Sequence, residues 1–170
     1  MKKKILRKHN DLPAKITAVL VTYAKTLLLL MLIVTILSWF ILSQLRVQFA
    51  LPLALITGSA SIVPVIGITV AAVIASIVAI FDGARFLPTT PVIVDGLAVI
   101  IAYGVLNVVV DYLLAPRLIG TSTGIHPVTL LVLVILGTAS FGIMGALLTV
   151  PVVLVIKTVN EHYKTKRGLA

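Results

Sequence analysis

Asn107 and Asp111 stand four residues apart in an apolar stretch, with Gly104 three residues before Asn107. On a helix the three share one face. A carboxyl inside a membrane segment is costly, and by default it marks a proton or cation pathway or a group that hydrogen-bonds a polar solute. The competing structural reading puts Asp111 at the headgroup edge, paired with Arg117 and closing the helix end. A second kind of candidate is backbone rather than side chain. Pro64 and Gly67 interrupt one apolar stretch, and Gly137, Thr138, Ser140, Gly142 and Gly145 interrupt another. A break at membrane depth frees carbonyl and N–H groups that a solute could bond, although such glycines can equally serve only to turn the chain. Asp82 and Asp95 read as helix caps or water-facing groups. His126, beside Pro127, has no partner at metal-ligand spacing and reads as a loop or helix-start residue.

The composition excludes most other chemistry. Of 170 residues, 60% are apolar and 11% are charged, and the mean hydropathy is +1.21. A soluble domain carries roughly a quarter charged residues, so this chain cannot cover a water-facing globule and reads as an integral membrane protein. The net charge of +9 sits in the tails: seven Lys/Arg against Asp11 in residues 1–25, and four against Glu161 in residues 157–170. The stretch between carries three of each sign and sums to zero. Basic tails around a neutral apolar body fit anionic lipid headgroups, and with no basic stripe interleaved with aromatics, nucleic acid is not the expected partner. There is no cysteine, hence no disulfide or thiolate chemistry. The first apolar stretch starts late, is long and lacks a small-residue cleavage site, so a cleavable leader is not expected. No catalytic triad order, phosphate-cradling loop or His/Glu cluster occurs. Neither an enzyme nor a bound cofactor or metal is expected.

The elements that must position the candidates follow from the uncharged runs. Residues 26–45, bracketed by Lys25 and Arg46, would span about 30 Å as a helix, one hydrocarbon thickness. Asn10, Asp11 and Pro13 offer an earlier helix start, and Ile16, Val19, Leu20 and Tyr23 share a face. That segment either lies at the interface or prolongs the spanning helix. Residues 47–81 are uncharged and too long for one crossing, so they must fold back or break at Pro64–Gly67, leaving arms of about 17 residues. Small residues recur every fourth position on both arms: Ala50, Ala54 and Gly58, then Gly67, Ala71, Ala75 and Ala79. Such ridges favour a tightly packed helical hairpin. Residues 92–115 form the next span, stopping at Pro116 and Arg117, and residues 118–127 read as a loop. Its Gly120-xxx-Gly124 spacing encloses polar residues and is not a lipid-facing dimer motif. Residues 128–156 would break within 137–145, leaving arms of 14–17 Å that do not cross a bilayer. Trp39 and Tyr163 read as interface anchors.

The expected fold is thus an all-α integral membrane protein. A basic cytoplasmic segment (1–25) precedes a membrane domain (26–156), and a second basic tail (157–170) follows it. The domain holds spans 26–45 and 92–115 and broken hairpins 47–81 and 128–156, which either re-enter or cross as pairs of full spans. Basic tails at both ends place both termini in the cytoplasm, so the number of full crossings is even. Two broken hairpins of opposite orientation, with a polar-bearing span between them, match the plan of a secondary transporter.

Particular residues sharpen that plan. Ile62-Val63-Pro64-Val65-Ile66-Gly67 resembles the Pro-x-x-Gly segment of the autoinducer-2 exporter (AI-2E) family of bacterial permeases. Pro116-Arg117-Leu118-Ile119-Gly120, followed by Gly124-Ile125-His126-Pro127, resembles that family's next signature. Gly137, Phe141 to Gly145 and Val150-Pro151 then recur at the family's spacing. Thr149 stands where a small Ala is usual, and Lys25-Thr26 where Gly-Gln is common. The resemblance implies a multimeric exporter, of pentameric form, for small polar metabolites such as the quorum-sensing signal autoinducer-2, in the bacterial inner membrane. It also implies an elevator-like moving unit built on the hairpins, with sodium/proton exchange as an alternative within the family. The likeness is to the C-terminal half of family members. The chain is accordingly either one half of a longer transporter or a short homologue that assembles with itself or with a separate N-terminal half. A non-transporting membrane subunit or an inactive truncated half is the competing class.

Overall fold

The computed structural model describes residues 12–64, 66–81 and 91–167, with side chains to residue 164. Asn10 and Asp11, expected to cap the first helix, lie outside the described residues, as do Val65 and Asp82. All regular structure among the described residues is helical: α1 (Leu12–Gln44), α2 (Ala50–Ala60), α3 (Ile66–Phe81), α4 (Val92–Val108), a π-helical turn (Val109–Leu114), α5 (Ala115–Thr123) and α6 (Pro127–Arg167). The all-helical membrane class read from the sequence holds. The chain divides into two compact units, one of residues 27–118 and the other of the residues on either side of them.

In the first unit, α1 to α4 run as an antiparallel meander. On α1 the residues Leu30, Val34, Ser38 and Leu42, each four apart, are all buried. Four-residue spacing places them in one row along the helix, the row on which neighbouring helices pack. The small-residue ridges are buried too, since Ala54 and Gly58 of α2 and Gly67, Ala71, Ala75 and Ala79 of α3 all lie inside. They do not simply face each other. A Cβ on Gly58 would strike Thr35 Oγ1 and the Met31 carbonyl of α1, whereas one on Gly67 would strike the Ala60 carbonyl of α2. Glycine is needed at both because helix backbones approach there more closely than a side chain allows.

Several boundaries differ from the sequence reading. Of the two readings of residues 12–25, the structure takes the second: the segment prolongs the spanning helix, and α1 is one helix of 33 residues. The first arm of the hairpin is shorter than expected. α2 has 11 residues, about 16 Å by helical rise, because Arg46 and Phe49 take left-handed backbone conformations and spend the preceding residues on the turn. The Val47 N–H reaches the Leu42 carbonyl across Arg46, a Schellman closure in which arginine occupies the usual glycine position.

The span of α4 does not stop at Pro116, and residues 118–127 are not all loop. The helical path continues to Thr123, and Val92–Thr123 is 32 residues long. The π turn explains how it passes the proline. The Ala115 N–H bonds the Val110 carbonyl five residues back, and the widened turn lets Pro116 fall in the first turn of α5, where its absent N–H breaks no bond. Thr-Ser-Thr is helical as well, with the Ser122 and Thr123 hydroxyls both satisfied on the Ile119 carbonyl of the same helix. Gly124, at φ 65, ends the helix, with the Ile125 N–H bonding Gly120 O.

In the second unit α6 is long enough to count as a third apolar span, yet it is not straight. Gly142 has φ 59 and ψ −140, outside helical space, and the chain reverses there. Gly137 lies against Thr149, Gly145 lies against the Gly137 carbonyl, and Lys157 reaches Gly124. In a straight helix residues 137 and 149 would be about 18 Å apart. The break falls inside the expected 137–145 window, but at its far side. The first arm therefore runs over 127–141, about 22 Å, and is longer than the sequence suggested.

Candidate functional site

The polar groups of the first unit gather on one row of α4. Asp95, Tyr103, Asn107 and Asp111 fall on a four-residue repeat with the apolar Val99 between, so they follow one another along the helix. Tyr103 and Asn107 grip the broken hairpin from both sides of its interruption. The phenol of Tyr103 lies 3.2 Å from Thr57 Oγ1, near the end of α2. Asn107 Nδ2 donates to Thr69 Oγ1, in the first turn of α3, at 2.9 Å. Between those two contacts the chain turns at 61–64, held by Ser61 Oγ donating to Gly58 O at 2.7 Å and by the Gly67 N–H bonding Val63 O at 3.0 Å. Pro64 therefore ends the turn and Gly67 opens α3 directly after it, with Asn107 bonded to Thr69 two residues further on. Asp111, one helical turn further on, lies in the π turn and is half-buried. π turns concentrate at functional positions because they re-aim side chains that a regular helix would place elsewhere.

Asp95 does not face water. It is 4% exposed, in the first turn of α4, where a carboxylate also complements the helix N-terminus. Next to it Ser76 Oγ donates to the Gly96 carbonyl at 3.0 Å, tying α3 to α4.

The candidates of the second unit separate. Gly137 and Gly145 come together across the α6 hairpin and, with Phe141, Met144, Leu148, Thr149 and Val152, line a groove of about 370 Å³. The groove is almost wholly apolar. Thr138 is not part of it, because its hydroxyl donates to its own helix at Val134 O, 2.7 Å away. Ser140 and Gly142 are exposed at the reversal. Pro151 sits inside the second arm. At the base of this hairpin Lys157 Nζ donates to Thr123 O at 2.9 Å and Gly124 O at 2.6 Å, capping the carbonyl end of α5. Thr26 of α1 reaches the same end through Ser122, at 2.9 Å. The signature residues Pro116 and Gly120 are buried in or beside α5, while Arg117 is exposed. His126 is exposed and its carbonyl accepts from the Leu130 N–H, so it starts α6 together with Pro127.

Sequence reasoning missed Ser38, Thr57, Thr69, Ser76 and Tyr103. Single hydroxyls scattered through apolar helices carry no spacing signal, and their roles arise from partners on other helices.

An all-helical protein coated with exposed Leu, Ile, Val and Phe, with helices broken at glycine and proline, is a polytopic membrane protein of the kind that builds transport paths from discontinuous helices. The sequence model of the AI-2E family transporters matches residues 1–165, and the chain belongs to that family. It is also similar to "Putative transport protein YrrI" of Bacillus subtilis (strain 168), with 28% identity over 119 residues. That match covers 70% of this chain and 31% of the relative, so the chain aligns with about a third of that protein's length. No solved structure matches the chain.

Proposed function

We propose that the chain is the hairpin-bearing membrane portion of a permease that exports small polar metabolites, of the autoinducer-2 kind, by alternating access. The observation that carries this reading is the pair of side-chain contacts from α4, Tyr103 to Thr57 and Asn107 to Thr69, that bracket the break of the first hairpin. A helix of 11 residues reaches only about half-way through a hydrocarbon layer of about 30 Å. The turn at 61–64 would then lie at mid-depth, where unwound backbone is tolerated only beside protein or a polar cavity. On this reading both hairpins re-enter, both termini face the cytoplasm of a bacterial inner membrane, and the hairpins ride in a moving, elevator-like unit. The protein works as a homo-oligomer, a pentamer by family likeness, with or without a separate N-terminal half.

Sodium or proton exchange is the second reading, and one observation favours it: Asp111 occupies a π turn a helical turn beyond Asn107. The test is reconstitution of the protein in liposomes, with efflux of labelled small polar solutes and sodium/proton exchange followed in parallel. Asp111→Asn is expected to suppress the ion-driven component, and Gly142→Leu to suppress both. If liposomes show neither solute efflux nor ion exchange, and both variants behave as the parent in cells, the chain is a non-transporting subunit or an inactive half.

A further inference from the structure

The groove on the α6 hairpin has the size of a small-ligand pocket, about 370 Å³, and nothing in its lining recognises a polar solute. The one hydroxyl there, Thr149 Oγ1, donates to the Gly145 carbonyl at 2.6 Å. Phe141, Met144, Leu148 and Val152 form the rim and are all exposed. A second helix fits such a groove poorly. Helices pack closely in lipid where small residues let their backbones approach. Here both glycines are already taken up by contacts between the hairpin's own arms, Gly137 against Thr149 and Gly145 against the Gly137 carbonyl. The opening left between bulky side chains suits a thin, flexible chain rather than a rod about 10–12 Å across.

The row of residues leaving the groove supplies a polar end. Met144, Leu148, Val152, Ile156, Asn160 and Lys164 follow one another at four-residue spacing along the second arm, and all six are exposed. The row is apolar through Ile156, polar at Asn160 and cationic at Lys164. Tyr163 is exposed beside them, as an aromatic at headgroup level would be. Glu161, the acid of this segment, lies 3.8 Å from Lys157 Nζ, so its charge is balanced. From Asn160 back to the Leu148–Val152 stretch is about 12–18 Å by helical rise. Half a hydrocarbon core is about 15 Å. A lipid tail that starts level with Asn160 therefore ends in the groove.

We propose that this row binds one anionic phospholipid, its headgroup held by Asn160 and Lys164 and one acyl tail laid in the groove between the arms of α6. The site stands independently of the transport reading.

Tryptophan fluorescence of the full chain in phosphatidylcholine bilayers tests it. In a Trp39→Phe, Phe141→Trp variant the introduced indole sits at the groove rim. Phosphatidylglycerol with brominated tails should quench it at a mole fraction about fivefold below that needed of brominated phosphatidylcholine, the effect of one lysine at a membrane surface. Adding Lys164→Gln should bring the two lipids level. In the parent chain Trp39, exposed on α1, reports ordinary lipid contact, and both lipids should quench it alike. Equal quenching at the groove overturns the proposal, as does a preference that survives Lys164→Gln or recurs at Trp39. An indole that neither lipid reaches also overturns it, and disulfide cross-linking of Phe141→Cys between copies then identifies a second chain as the occupant.

Discussion

Asn107 and Thr69 are 38 residues apart in sequence and 2.9 Å apart in the fold, and neither announces the other. Asn107 was legible as a polar residue in an apolar helix because its desolvation cost is local. Thr69 was not, since a threonine in a helix ordinarily satisfies its hydroxyl on its own backbone, as Thr138 does. Interhelical hydrogen bonds in membranes average about 0.6 kcal/mol and reach about 1.7. Asn107→Ala and Thr69→Val are each expected to destabilise the fold by about that much. The double variant should cost little more than either single one, giving a coupling of at least about 0.5 kcal/mol in a double-mutant cycle of unfolding. Additive losses would mean the two side chains act separately. The same contact should matter to transport, because it holds the break of the first hairpin to α4.

The breaks between elements were readable because their causes are local. A proline removes a donor and a glycine admits unusual dihedrals, wherever the rest of the chain goes. Pro64, Gly67 and the 137–145 window were located from that chemistry. What was not readable is how far each helix continues. α5 runs on through Thr-Ser-Thr, whose Ser122 and Thr123 hydroxyls find an acceptor in the Ile119 carbonyl, and α4 passes Pro116 because the helix widens just before it. Both are compensations between neighbours rather than properties of a residue type. Glycines likewise look alike in sequence and differ in place. Gly58 is pressed against Thr35 and against the Met31 carbonyl, which a Cβ there would meet at 2.7 Å, whereas a Cβ on Gly104 meets nothing within 4 Å. Gly58→Ala should therefore destabilise the α1–α2 packing by about 1–3 kcal/mol. Gly104→Ala should be neutral, or stabilising by up to about 1 kcal/mol through helix propensity. Denaturation of the two variants side by side separates close packing from composition.

At the scale of the whole chain the apolar coat is the dominant fact. Phe40, Ile93, Ile101, Val105 and Phe81 are all largely exposed, an arrangement that lipid covers and water does not. The direction of the chain through that lipid follows, on the proposed topology, from the basic tails. Because the native sequence contains no cysteine, single cysteines can report it without background. Cysteine at Gln48 is expected to react with an impermeant maleimide applied outside, and cysteine at Thr121 only after permeabilisation. The reverse pattern inverts the topology. The widened turn at Val109–Leu114 has a consequence for chain length. A π turn carries one residue more than a regular helix needs, so removing one residue there should restore ordinary winding rather than sever the rod. Everything after it would then keep its helicity and nearly its orientation, because the widened turn absorbs the extra residue locally instead of passing it on as a rotation of about 100°. Natural relatives that gain or lose a single residue along this helix are expected to do so at this spot, where an insertion is stored as a bulge.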